Sequence, residues 1–339
     1  MSKLTPYCFS SVKSTHFKAE VSHLAFTDKG QYWDAWNIDR EYEQKPLPPA
    51  TLKSIQWLEN GTIQQTIRAI RTIGNSEFIQ DYILEKHSPI LKIATTVDWQ
   101  ETHVLVKAAF PLTVESDYAT SEIACGAIER PTKPQTAAEK AKWETSALKW
   151  VDLTEEKQYG VSLLNDCKYG YDIKPNQLRI TLLRSPVWPD PNSDKGKHQF
   201  TYAVYPHKGS WQQAKTVHHS YELNIPLQVI EIELEKQENT YLSPVGSFID
   251  LSAENLILMA IKKHGEMGRW GDGESIILRC YECHGEVANF NLKGDLELEI
   301  VGEVNCLEEN IKGEVDTFIE PWKVKTFKLI MVNSTAPFT

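Results

Sequence analysis

Cys280, Cys283 and His284 stand in the order C-x-x-C-H within CYECHG, residues 280–285. That spacing is the attachment signature of c-type haem, and C-x-x-C alone suits zinc or redox chemistry. Either use needs the sulfurs presented together, as one turn of helix presents them. The preceding run 274–279, ESIILR, reads instead as a strand. On a strand, residues three apart face opposite sides, so the two thiols diverge. A zinc site also needs four clustered ligands, and no second pair with suitable spacing accompanies this one. The expectation is that Cys280, Tyr281 and Cys283 pack, while His284 and Gly285 open the turn that follows.

Three other stretches gather polar and aromatic groups. YWDAWN (32–37) places Trp33, Asp34 and Trp36 together. As a strand it directs Trp33 and Ala35 one way and Asp34 and Trp36 the other. An aromatic face beside a carboxylate suits a sugar, since the ring covers C–H groups and the carboxylate accepts from hydroxyls. A strand at a domain interface fits the same residues. NDCKYGYD (165–172) brings Asp166, Tyr169 and Tyr171 into one connection rich in turn formers. It reads as a solvated hairpin tip or as a binding loop. Arg184 closes the apolar run 178–183, where it suits an anion or a diol, or a salt bridge to a nearby aspartate. His218 and His219 are adjacent and on a strand point apart. Nucleophile-elbow, phosphate-loop and dinucleotide fingerprints are missing from the sequence.

The elements that must hold these groups are strands. IQWLE (55–59) and TIQQT (62–66) flank Asn60-Gly61, a type I′ hairpin signal. Period-2 alternation marks 230–235 and 296–300. Further strands are expected at 88–96, 103–110, 160–165, 178–183, 200–205, 256–261, 275–281 and 323–329. The short turns between them suggest all-β sandwiches. Residues 136–148 carry good helix formers behind Thr136 as N-cap, and 186–197 reads as a loop.

With 339 residues, two domains are expected, divided near 224–228. Net charge is −10 and no basic stripe stands out, which argues against nucleic acid. The N-terminus has no apolar secretory region, and nothing is long and apolar enough to cross a membrane. Six scattered cysteines suit free thiols in the cytoplasm.

Six blocks then occur in order: 97–112, 116–132, 149–155, 159–172, 178–191 and 200–211. Among them are VDWQETHVLVKAAFPL, YGVSLLNDCKYGYD and LRITLLRSPVWPDP. The set resembles the C-terminal half of cytosolic and vacuolar α-mannosidases of glycoside hydrolase family 38. YWDAWNID (32–39), GDGESIILRCYE (271–282) and PWKVKTFKL (321–329) are similar to that family too, and the likeness spans roughly 26–330.

The resemblance implies a supersandwich like that of galactose mutarotases at 1–226 and a smaller β-sandwich at 227–339. It places the family's aspartate nucleophile and zinc ligands in an N-terminal α/β domain. YWDAWN begins some thirty residues from Met1, so that domain is expected to be absent. No catalytic residue, cofactor or metal is then expected in this chain. It would complete the pocket for terminal α-mannosides or oligosaccharides, with a separate catalytic-domain chain as one implied partner, and be inactive alone. Arg184 falls where the family's pocket arginine is expected. Trp33, Asp34 and Trp36 are candidates for the aromatic or acidic contact, and the turn with Asp166, Tyr169 and Tyr171 is a weaker one. A stand-alone carbohydrate-binding module and a mutarotase-like module are the alternatives.

Overall fold

The computed structural model describes residues 22–30, 32–156, 158–231, 245–264 and 275–332. The chain divides into two compact units, one of residues 1–123 and 128–226, the other of 124–127 and 227–339.

In the first unit β1 is Ser22–Thr27, β2 Thr51–Asn60, β3 Gln64–Ile73, β4 Ser76–Glu85, β5 Leu91–Trp99, β6 Val104–Pro111 and β7 Tyr118–Ile123. Then come β8 Gly126–Pro131, α1 Ala137–Lys140, β9 Thr145–Ser146, β10 Trp150–Glu155 and β11 Tyr159–Asn165. β12 (Gly170–Lys174), β13 (Gln177–Leu183), β14 (Gly196–Lys208) and α2 (Thr216–Asn224) complete it. A five-stranded sheet runs β1-β6-β13-β12-β9, and a nine-stranded sheet runs β2-β3-β4-β5-β14-β11-β10-β7-β8.

Period-2 patterning builds both sheets. Along β5, Leu91, Ile93, Thr95, Val97 and Trp99 are buried and the residues between them are not. The inner faces share one core: Phe110 of the small sheet meets Tyr202 of the large one edge-on, with ring centres 6.2 Å apart. A polar link crosses the same core. His23 of β1 lies 3.0 Å from Gln80 Nε2 and 3.2 Å from the Tyr202 hydroxyl. Burial pushes this imidazole down to about 3, so it stays neutral and the link carries no buried charge.

In the second unit β15 (Leu256–Lys263), β16 (Ser275–Glu282), β17 (Ala288–Asn289), β18 (Leu298–Val304), β19 (Phe318–Ile319) and β20 (Val324–Met331) form two sheets. Their orders are β15-β16-β20-β18 and β17-β19. Cys280 joins Leu278, Phe290, Phe327 and Leu329 in its core.

The molecule is therefore all-β, a large two-sheet sandwich followed by a smaller one, as the alternation predicts. Four local expectations are corrected. The Asn60-Gly61 hairpin forms, but neither residue has a positive φ, and Gly61 N donates to Gln64 O (3.0 Å) across a longer loop. The helix at 136–148 is one turn: the Thr136–Glu139 capping box starts it, but 145–146 is drawn into the sheet beside β12. His218 and His219 lie on α2 rather than on a strand. YWDAWN is a turn, with Tyr32 at φ 43° and Trp33 at φ 47°. The alternation at 230–235 falls largely outside the described residues.

Candidate functional site

β1, β6 and β13 are neighbours, with Thr27 opposite Val104 and Leu183 opposite Val106. The end of β1, the start of β6 and the end of β13 thus share one edge of the sandwich. Three connections leave there: residues 28–41, His103, and residues 184–195. Backbone bonds tie them, Asp28 N to His103 O (2.8 Å) and His103 N to Ser185 O (2.8 Å). Ser185 Oγ in turn accepts from the buried Trp99 indole at 2.7 Å, which anchors the third connection to the core.

Arg184 clips the first loop. Its Nε donates to Asp28 Oδ2 (2.7 Å), and its Nη2 donates to the carbonyls of Asp34 (2.7 Å) and Asn37 (3.0 Å). Asp28 Oδ1 also accepts from Asp39 N at 2.7 Å, which closes the loop on itself. These bonds leave Nη1 of Arg184 outside the clip.

Asp34 clips the loops to each other. Its Oδ2 accepts from His103 Nε2 (2.9 Å) and Val187 N (2.8 Å), and its Oδ1 accepts from Trp188 N (3.0 Å). Burial pushes this carboxyl up, but the amides of Val187 and Trp188 and the His103 imidazole outweigh it and hold the group below the usual range. Asp34 is then an anchored carboxylate with its oxygens occupied, not an acceptor facing solvent. Gly30 permits the turn. Its φ is +53°, and a Cβ there would lie 3.1 Å from Asp34 Cα.

What the clips expose is aromatic. Tyr32 is 87% exposed, Trp36 80%, Trp33 59% and Trp188 47%. The Trp33 and Trp188 rings, one from each loop, sit 5.6 Å apart, and Tyr32 lies 6.4 Å from Trp33. Exposed rings on a fixed backbone lose little entropy on binding, and their faces match the C–H faces of a pyranose.

The turn after β11 is a separate cluster. Asp166 Oδ2 accepts from Thr201 N (2.7 Å), and Lys168 Nζ lies 4.4 Å from the Phe200 ring centre. Burial lowers the Lys168 pKa, while Cys167 is pushed up to about 11 by burial and by its bond to Asp166. Tyr169 is half exposed. Tyr171 is 0% exposed and takes a 2.5 Å bond from Asn165 Nδ2, so it is a core residue.

The structure thus brings Trp33, Asp34, Trp36 and Arg184 into one assembly and leaves Asp166, Tyr169 and Tyr171 out of its bonds. Asp28, His103 and Trp188 are additions to the expected set. Trp188 carried a signal, a tryptophan between prolines in PVWPDP, whereas nothing local marks Asp28 or His103. Among the described residues, no three His, Cys, Asp or Glu side chains gather to hold a metal ion.

The Glycosyl hydrolases family 38 C-terminal domain matches residues 10–192, and the Glycosyl hydrolases family 38 C-terminal beta sandwich domain matches residues 255–327. Alpha-mannosidase 2C1 of Mus musculus is 34% identical over 288 residues, 84% of this chain and 27% of its own length. Alpha-mannosidase G of Dictyostelium discoideum is 33% identical over 323 residues, 91% of this chain and 29% of its own length. The chain spans less than a third of either relative. The crystal structure of an alpha-mannosidase from Enterococcus faecalis V583 shares the fold, with a TM-score of 0.73 at 15% identity over 92% of this chain and 39% of that one. No helix among the described residues is long and apolar enough to cross a membrane. The match over more than half of its residues shows that this chain belongs to glycosyl hydrolase family 38, of which it carries the C-terminal domain and the C-terminal β-sandwich domain.

Proposed function

We propose that this chain is the β-domain portion of an α-mannosidase and that its two clipped loops form one wall of a mannoside site. Tyr32, Trp33, Trp36 and Trp188 cover the apolar face of the sugar, and Arg184 and Asp34 hold those rings in place. The observation that carries the reading is the double clip, which fixes exposed tryptophans from two loops at one edge of the sandwich. A wall of this kind binds and orients, and its named residues supply no nucleophile. Hydrolysis then depends on an α/β catalytic domain, which supplies the nucleophile and zinc and can stand on a separate chain. A cytoplasmic location goes with the reading, since the free thiols need no oxidising compartment.

The test is an aryl α-mannoside assay on the pure chain with zinc or cobalt added, followed by mixing with a family 38 catalytic domain. The reading expects no turnover alone and turnover after mixing. Clear turnover by the pure chain would end it. A stand-alone sugar-binding role rests on the same four rings and is favoured if sugar binds but mixing restores nothing.

A further inference from the structure

A cleft of about 400 Å³ opens elsewhere on the large sandwich, between the end of β8, α1 and β12. It shares only Arg40 with the clipped loops and does not rest on the mannoside reading. Its volume is within the range of small-ligand pockets.

The charges around it are unbalanced. Three carboxylates line it, and each is committed. Asp172 pairs with Lys107 (3.0 Å) and with Arg179. Glu43 pairs with Lys174 (2.7 Å) and with Arg179. Glu139 accepts from the amides of Gln135 (2.7 Å) and Thr136 (3.0 Å) in the capping box. Arg40, Arg130, Lys140 and Lys142 also line the cleft, and none of the four makes an ion pair among the described residues. Arg130 is the telling member. Its Nη1 is buried without a hydrogen-bond partner, and burial alone lowers its pKa. A buried guanidinium N–H left unpaired is costly, and native structures rarely tolerate one without a ligand, ion or water to receive it. Trp143 and Tyr42 supply apolar walls beside it.

We propose that this cleft binds the oxyanion group of a small phosphorylated ligand. Arg130 is the central donor, with Arg40, Lys140 and Lys142 around the charge and the Trp143 ring against the organic body. The guanidinium fork matches a phosphate better than a monovalent spherical anion, because it donates two parallel bonds to two oxygens.

The experiment is calorimetric titration of the full chain with inorganic phosphate and with a hexose 6-phosphate, ionic strength being held constant with chloride. Both probes are expected to bind saturably at the same site. Tighter binding of the sugar phosphate assigns the source to an organic ligand, and equal binding assigns it to the free anion. Arg130→Gln is expected to remove binding. The double variant Arg40→Gln/Lys142→Gln changes only exposed side chains and keeps the test valid should Arg130→Gln fail to fold. It is expected to weaken binding about tenfold. Absence of saturable heat with both probes overturns the proposal, and so does unchanged affinity in the double variant.

Discussion

Asp34 and Glu282 each gather donors around one buried carboxylate. Asp34 takes His103 Nε2 and the amides of Val187 and Trp188. Glu282 takes Asn255 Nδ2 (3.0 Å) and the amides of His284 (2.8 Å), Gly285 (2.8 Å) and Trp322 (3.0 Å). Around Glu282 the result is inward. Cys280, Tyr281 and Cys283 are buried, and Gly285, at φ +80°, packs so closely that a Cβ would lie 2.6 Å from the Trp322 ring. Around Asp34 the same device holds two loops whose rings face solvent. A carboxylate clamp therefore says that a turn is fixed, and the neighbours it displays say what the turn is for. By that criterion the C-x-x-C-H stretch is a structural strand end with the turn that follows it, and YWDAWN is a turn that leaves its rings exposed, as the proposed sugar wall requires.

The largest effect is expected at Glu282. Glu282→Ala removes the acceptor of four buried or half-buried donors and should destabilise the small unit by about 3 kcal/mol or more, read from chemical denaturation. Sugar binding at the loops should not change. Asp34→Ala should cost less, about 1–3 kcal/mol, because its turn lies in water once released. It should abolish the alignment of Trp33 with Trp188, which is readable as higher amide exchange in residues 32–38. The Asp34 clamp also predicts a pH dependence. Its folded pKa lies below the usual carboxylate value. The stabilisation is therefore complete above that value and is lost as pH falls through the folded pKa. Asp34→Asn should remove this acid-side loss, and an unchanged acid profile would break the assignment.

Arg184→Lys keeps the charge but not the fork that reaches Asp28 and two carbonyls together. A loss of about 1 kcal/mol is expected, with weaker sugar binding. Smallest in stability are Trp33→Ala and Trp36→Ala, within about 0.5 kcal/mol because both rings are exposed. Cysteine labelling sharpens the other side of the comparison. Cys280 is buried and its thiol is pushed up to about 12, so an alkylating reagent should reach exposed Cys306 in the folded chain and Cys280 only after unfolding.

β5 was legible because it buries one face, and β11, β13 and β16 were legible as apolar runs buried along most of their length. Turn detail was less legible. Asn60-Gly61 marked the hairpin but not its loop, since β2 carries register shifts near Leu52 and Trp57 that change how its end meets β3. Propensity at 136–148 was overridden when Thr145 and Ser146 paired with β12. YWDAWN read as a strand because its aromatics favour one, whereas bonds from Arg184, about 150 residues later in the chain, impose the turn. The family blocks put Arg184 and the tryptophans on one list. Only strand register puts them on one edge, beside Asp28 and His103.

The central claim is that the two clipped loops present a sugar-binding wall. It is tested most directly by titrating the full chain with mannose and manno-oligosaccharide, followed by calorimetry and tryptophan fluorescence. The account predicts saturable binding in the range of about 1–10 mM. That binding should be lost in the Trp33→Ala/Trp36→Ala variant while the fold and the Glu282 turn stay intact. No heat at millimolar sugar, or equal binding by wild type and variant, would contradict it.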